Sequence, residues 1–346
     1  MTYRTPMAMS TRYLVVNGVP RGGEVPPIST FLESVSGAYT TTRTDVNATL
    51  LLFWDRHLSR LSDSVRLLAG SRPDLLGLVR PRAEFSPAVE PLVSVSLRTG
   101  LELALAKRRI AEREDELAIT TLVRSREDDE EGIDVYLHLG FYVPPVFGLG
   151  GAHLAVAGRG RDVAMAKYSD WARMRKGLEK MRPPLATELL LTNDGNRILE
   201  GSVTNFFVVC RKMINQSRDE PSSDQQKKCM LEVQTAPISD GVLPGIMRQL
   251  VIEVCSSIGI PLRETAPSWS DRDLWEEAFV TSSLRLVQHV ETIQAPSSCE
   301  ELHLQMWKEV SWIMKKFEGA GHVTAQIQRE VTERARSSGY EIRDVC

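Results

Sequence analysis

Between Asp55 and Leu68 the apolar positions Leu58, Leu61, Val65 and Leu68 recur three or four apart. That spacing lines one face of a helix, so a helix over residues 56–69 is predicted, with Asp55 placed to cap it. The same period predicts helices over Ala88–Glu112, from Ile246 through Leu250, Val251, Val254 and Ile258, over Leu304–Phe317 and over Val323–Ser338. Elsewhere the pattern shortens to runs that suit strands: Tyr13–Val16 running into Asn17-Gly18, Leu50–Trp54, Leu117–Val123, Val135–Val143, Leu154–Ala157, Val163–Ala166, Phe206–Cys210 and Ala278–Ser283. Leu189 to Leu199 reads as a hairpin turning at residues 193–196. Helices and strands alternate throughout, which is an α/β or α+β class.

Pro144, Pro145 and the glycines of 148–151 interrupt this pattern and mark a domain boundary. Residues 1–145 are expected to form one domain, with a disordered tip at 1–12, and residues 146–346 a second. Glu127–Glu131 is an acidic run that suits a solvated loop, and the polar stretch 216–228 has almost nothing to bury and suits a long mobile loop.

Composition narrows the function classes. The 346 residues are 42% apolar and 25% charged, with a formal charge of -3, which fits a globular chain without the positive field that nucleic acid requires. No apolar run approaches the roughly 20 residues of a membrane helix. Cys210, Cys229, Cys255, Cys299 and Cys346 are odd in number and lack metal-ligand spacing. Free thiols in a reducing compartment, the cytoplasm, are therefore expected, with no metal and no disulfide framework. Met1–Arg12 is rich in Thr, Ser and Arg and has no acidic residue, a composition similar to a transit segment but short. Small-molecule chemistry becomes the default.

Four features could carry it. Lys167 shares strand parity with Val163 and Met165, and a lysine desolvated on an apolar face becomes a nucleophile. Glu200 stands between Leu199 and Gly201, where a buried carboxylate could face a basic ring nitrogen. Gly245 and Ile246 open a helix, whose amides and dipole suit a phosphate, and Ser282 and Ser283 could add hydroxyls. Each also has an ordinary explanation: a solvated rim lysine, a turn glutamate held by Ser202, Thr204 and Asn205, a plain loop-to-helix start.

Taken together, these segments resemble the fold-type IV pyridoxal 5′-phosphate (PLP) enzymes: branched-chain aminotransferases, D-amino acid aminotransferases and aminodeoxychorismate lyases. The matching motifs are Lys167, then Glu200-Gly201 with Asn205-Phe206, then Leu243-Pro244-Gly245-Ile246 with Arg248, then Phe279 with Thr281-Ser282-Ser283, all in order. His57, Arg60 and Leu61 match the family's His-x-x-Arg-Leu helix, and Gly37, Tyr39 and Arg43 its Gly-x-Tyr/Phe strand.

The resemblance implies a small N-terminal α/β domain, a larger C-terminal barrel-like domain, PLP as cofactor and a homodimer. It implies that Lys167 forms a Schiff base with PLP and shuttles the substrate's alpha proton, and that Glu200 keeps the pyridine nitrogen protonated. Arg60, Thr204, the Ile246 and Met247 amides, Ser282 and Ser283 would hold the phosphate, with Asn205, Leu243 and Gly245 completing the cofactor site. Tyr39, Arg43, Arg124 and Arg126 are candidates for the substrate side.

The implied reaction moves an amino group between an amino acid and a 2-oxo acid; the alternatives are a lyase that releases pyruvate from aminodeoxychorismate and a catalytically silent PLP-fold protein. The family's acidic residue after the strand aromatic is Thr40 here, and its Thr in the Leu-x-Gly-Ile segment is Met247. The acidic run beside Arg124 and Arg126 does not copy the basic loop of the D-amino acid enzymes. Donor, acceptor and stereochemistry are therefore left open by the sequence.

Overall fold

The structure is a computed structural model that describes residues 11–81, 89–126, 132–213, 229–298 and 306–345. The expectations for most of the N-terminal tip, for Glu127–Glu131 and for the stretch 216–228 fall outside the described residues.

The first strands are β1 Arg12–Val16, β2 Val19–Pro20, β3 Ala38–Asp45, β4 Leu50–Leu51, β5 Glu116–Ser125, β6 Ile133–Tyr142, β7 Ala152–Val156 and β8 Glu188–Thr192. They are followed by β9 Ile198–Gly201, β10 Asn205–Met213, β11 Cys229–Thr235, β12 Leu262–Glu264, β13 Trp275–Ser282, β14 Leu286–Pro296, β15 Trp312–Lys316 and β16 Tyr340–Glu341. The helices are α1 Ile28–Ser34, α2 Trp54–Ser71, α3 Val89–Ile110, α4 Asp170–Leu178, α5 Ile246–Ser257, α6 His322–Ser337 and α7 Ile342–Val345. Among the described residues, no helix is long and apolar enough to cross a membrane.

The chain divides into two compact units. The first runs to Pro144 and takes back Ala166–Arg173 and the segment from Ala335; the second holds Pro145–Met165 and Met174–Arg334.

The first unit is built on a seven-stranded sheet in the order β16-β4-β3-β5-β6-β1-β2. Because side chains alternate along a strand, β3 and β5 present two different faces. Tyr39 and its cross-strand partner Leu122 pack with Phe31, Leu32 and Ala172. Of the threonines on the opposite face, Thr40 meets α2, its Oγ1 2.7 Å from His57 Nδ1, and the Thr42 hydroxyl donates to the Leu52 carbonyl just before that helix at 2.7 Å. Leu61, Val65 and Leu68 of α2 are fully buried, the stripe expected from their spacing. Its start differs from expectation: Phe53, at φ 49°, precedes the helix without a side-chain cap, and Asp55 lies inside the first turn. Leu51, Leu52 and Phe53 are buried, so the chain enters α2 from the core rather than from a polar cap.

The second unit contains a closed barrel. Its ring runs β10-β13-β14-β7-β8-β9 and returns to β10 through the single pair Glu200–Asn205. Closure removes the sheet edges at this seam. Alternate residues fill the interior, among them Leu154, Val156, Leu190, Ile198, Phe206, Val208, Val280 and Val290. The β8–β9 hairpin turns where predicted, with Asp194 accepting the amides of Asn196 and Arg197.

Two expected elements take other forms. Val163–Ala166 is a turn, not a strand, and its inward residues are Ala164 and Ala166 while Met165 is exposed. Four alternating apolar residues cannot specify a strand without a ladder to join. The second is the predicted helix over 304–317: its described residues form a short 3-10 turn and then β15, which pairs with β14 from Pro296↔Trp312 to Thr292↔Lys316. An open strand edge rewards Trp312 and Ile313 more than helical periodicity does.

Candidate active site

In the first unit, Lys167 is held through its backbone by two elements at once. Its carbonyl accepts the Tyr39 amide at 2.9 Å, and its amide donates to Ser64 Oγ at 3.1 Å. The ammonium lies 4.6 Å from the centre of the Tyr39 ring, a cation–π distance.

Helix α2 places His57, Arg60 and Ser64 on neighbouring turns because three and four residues close one turn. Arg60 Nη2 donates to Thr40 Oγ1 at 2.8 Å, and Thr40 Oγ1 lies 2.7 Å from His57 Nδ1. Arginine can only donate, so Thr40 Oγ1 accepts from Arg60 and also pairs with His57 Nδ1, and the other ring nitrogen is Nε2. That atom is buried with no hydrogen-bond partner. Burial, then the charges of Arg60 and Lys167, push the His57 pKa well below its usual value, so the ring is neutral and the positive charge here belongs to Arg60 and Lys167.

In the second unit the barrel seam carries Glu200, whose carboxylate accepts four donors. Arg161 Nε and Nη2 reach Oε1 at 3.0 and 2.8 Å; the Leu243 amide and Asn205 Nδ2 reach Oε2 at 3.0 and 3.2 Å. Asn205 Nδ2 also donates to the Leu243 carbonyl at 3.0 Å, which docks the 243–245 loop on the seam. Gly245 sits against Asn205 so closely that a Cβ there would lie 2.0 Å from Asn205 Oδ1. Ile246 and Met247 then open α5 with no side-chain cap, leaving first-turn amides to an anion.

The remaining expected residues are placed as follows. The Thr204 hydroxyl donates to Glu188 Oε1 at 2.9 Å. Ser282 Oγ accepts the Arg285 amide at 3.2 Å, and Ser283 is half-buried beside it. Arg43 is buried and bonded to the Thr44 carbonyl and Asp45. Arg126 is bonded to Asp134 and the Ile133 carbonyl. Arg124 lies against Gly77. Thus Tyr39, Arg60 and Lys167 gather in the first unit, and Glu200, Asn205, Leu243 and Gly245 in the second. Sequence reasoning missed Arg161, Glu188 and Arg285. An arginine in a Gly-rich loop shortly before the lysine was the only available signal.

These donor sets fit PLP. An amine and an arginine suit its aldehyde and phosphate, a buried carboxylate suits a protonated ring nitrogen, and an uncapped helix start suits a phosphate. Among the described residues, no cluster of three or more His, Cys, Asp or Glu could hold a metal. Cys210 and Cys255 are buried, and burial is the chief cause that pushes their thiol pKa values up to about 12, on the thiol side of neutrality.

The model of the amino-transferase class IV family matches residues 37–293. Among solved structures, the apo form of a hypothetical aminotransferase from Mycobacterium tuberculosis is similar, with 15% identity, a TM-score of 0.63 and coverage of 94% of this chain and 99% of that one. Its PLP-bound form has 16% identity, a TM-score of 0.61 and the same coverage. A branched-chain aminotransferase from Thermoproteus uzoniensis, solved with norvaline, has 18% identity and a TM-score of 0.61, covering 94% of this chain and 95% of that one. At these identities the likeness is one of fold. Comparison with curated proteins found no match.

Proposed function

The chain belongs to the class IV aminotransferase family, and from that premise we propose that it moves an amino group between an amino acid and a 2-oxo acid, using PLP held covalently by Lys167. The observation that carries this reading is the setting of Lys167, whose backbone is pinned to Tyr39 and Ser64 and whose amine lies over the Tyr39 ring. A nucleophile fixed at its own backbone loses little freedom on reacting.

Bound PLP supplies an aldehyde conjugated to an electron-withdrawing ring. Lys167 would hold PLP covalently through Nζ, the aldehyde oxygen leaving as water, and, once the donor's amine has taken its place, its freed amine would move the proton away from the donor's alpha carbon. Glu200, held in place by Arg161, Asn205 and the Leu243 amide, is the carboxylate that would face the ring nitrogen and favour its protonated form. Arg60 and the α5 amides would hold the phosphate, the first by its charge and the second by their N–H groups. The proposed substrate-side residues are Tyr39, Arg43, Arg124 and Arg126, of which Arg43 and Arg126 are also bonded to Asp45 and Asp134. The reading includes a homodimer, checked by light scattering.

The test begins with borohydride reduction of the PLP-loaded protein, which should fix the cofactor's mass on the peptide containing Lys167. A panel of L- and D-amino acids with 2-oxoglutarate or pyruvate then identifies donor and acceptor. A Lys167→Ala variant that turns over like wild type would sink the lysine assignment. Pyruvate released from aminodeoxychorismate without any 2-oxo acid acceptor would replace transfer by the lyase reaction.

A further inference from the structure

The second unit holds a buried carboxylate that the proposed reaction does not use. Glu188 opens β8 and is 2% exposed. Its Oε1 accepts the Val203 amide at 2.8 Å and the Thr204 hydroxyl at 2.9 Å, and its Oε2 accepts Arg285 Nη1 at 2.9 Å. The Arg285 amide donates in turn to Ser282 Oγ at 3.2 Å. One carboxylate therefore ties the turn that follows Glu200 to the turn that follows β13.

The barrel does not require this charge. The ladder of β8 with β7 and β9 is a backbone matter, and an apolar residue beside Leu189–Leu191 would spare the several kcal/mol that desolvating a carboxylate costs. Gly201 shows how closely the tie is built, since a Cβ there would lie 2.2 Å from Thr204 Oγ1 and 2.4 Å from Glu188 Oε1. The glycine after Glu200 is thus demanded by the Thr204–Glu188 pair. The Thr204 proton is directed to Glu188, so that hydroxyl helps to fix the turn.

We infer that Glu188 and Arg285 are positioning residues for cofactor capture, holding residues 201–204 and 282–285 in one fixed arrangement so that Glu200, Ser282 and Ser283 are ordered before PLP arrives. This rests on the PLP reading above. Ordering these turns beforehand removes an entropic cost from binding.

The test is the PLP affinity of apo-protein, read from the change in protein fluorescence, alongside circular dichroism and the apo-protein melting temperature. Glu188→Gln keeps an oxygen for Val203 and Thr204 but turns an amide donor toward Arg285, so it severs only the arginine tie. Arg285→Gln severs the same tie from a partly exposed side chain, and it carries the test if Glu188→Gln fails to fold. Each single variant should weaken PLP binding about tenfold, the lower end of what outer partners of a bound group contribute. Circular dichroism should be unchanged, and the double variant should bind no worse than either single one. Arg285→Gln binding PLP like wild type, or losses that multiply in the double variant, overturns the inference while leaving the PLP reading intact. Wild-type protein that takes up no PLP overturns both.

Discussion

Arg161 grips one oxygen of Glu200 twice, at 3.0 and 2.8 Å, with only 6% and 3% of the two side chains exposed. Taking both charges out of water costs several kcal/mol, which the pair offsets only through good geometry and further hydrogen bonds. Glu200 has both, because the Leu243 amide and Asn205 complete its second oxygen. Its carboxylate is therefore aimed by the fold itself.

Arg161→Met leaves that carboxylate buried without its cation. Urea unfolding should show a loss of about 3–5 kcal/mol, and the double variant Arg161→Met/Glu200→Gln should recover at least half of it. If the double variant is no more stable than the single one, the pair is not the source of the loss.

Gly245→Ala places a methyl 2.0 Å from Asn205 Oδ1, on a side chain already bonded to Glu200 and Leu243. Asn205 cannot step aside without releasing the seam. A destabilisation of about 1–3 kcal/mol is expected, together with weaker PLP binding. A melting temperature and PLP affinity equal to wild type would show that the loop yields freely.

Thr40→Val keeps the shape of the side chain but removes the oxygen between Arg60 and His57. The buried His57 ring and the partly buried Arg60 guanidinium each lose that oxygen, at about 1–3 kcal/mol of stability. Thr40→Ser should restore both stability and PLP affinity. Equal behaviour of the Ser and Val variants would remove the hydroxyl from the account.

His57 gives stability a pH dependence of known sign. Its folded pKa lies well below 6.5, with burial the largest cause, so between that value and 6.5 the unfolded chain holds a proton that the folded chain does not. Its contribution is complete above pH 6.5 and is lost as pH falls, by up to about 1.4 kcal/mol per pH unit. His138 and His289, also lowered chiefly by burial, act in the same direction. Denaturation of His57→Gln at pH 6.5 and 5.5 should show a fall shallower than wild type by about 1 kcal/mol; equal slopes would exclude His57 as a source.

Much of this protein is legible in residue order. Helix α2 follows from Leu61, Val65 and Leu68, and the β8–β9 turn from its Asn, Asp and Gly residues, because both depend on neighbours a few positions away. Lys167, Glu200, Asn205, Leu243 and Gly245 were named from motif order alone. The turn at Val163–Ala166 and strand β15 were not legible, since whether a short apolar run becomes a strand depends on a ladder offered by a distant segment.

The charged partners lay further out of reach. Arg161 meets Glu200 across 39 positions, and Arg285 meets Glu188 across 97. No local period marks either pair. Residue order supplies the functional groups, their succession and the family; barrel closure decides which cation faces which carboxylate, because a buried charge is paired by the strands the fold sets beside it, not by its neighbours along the chain.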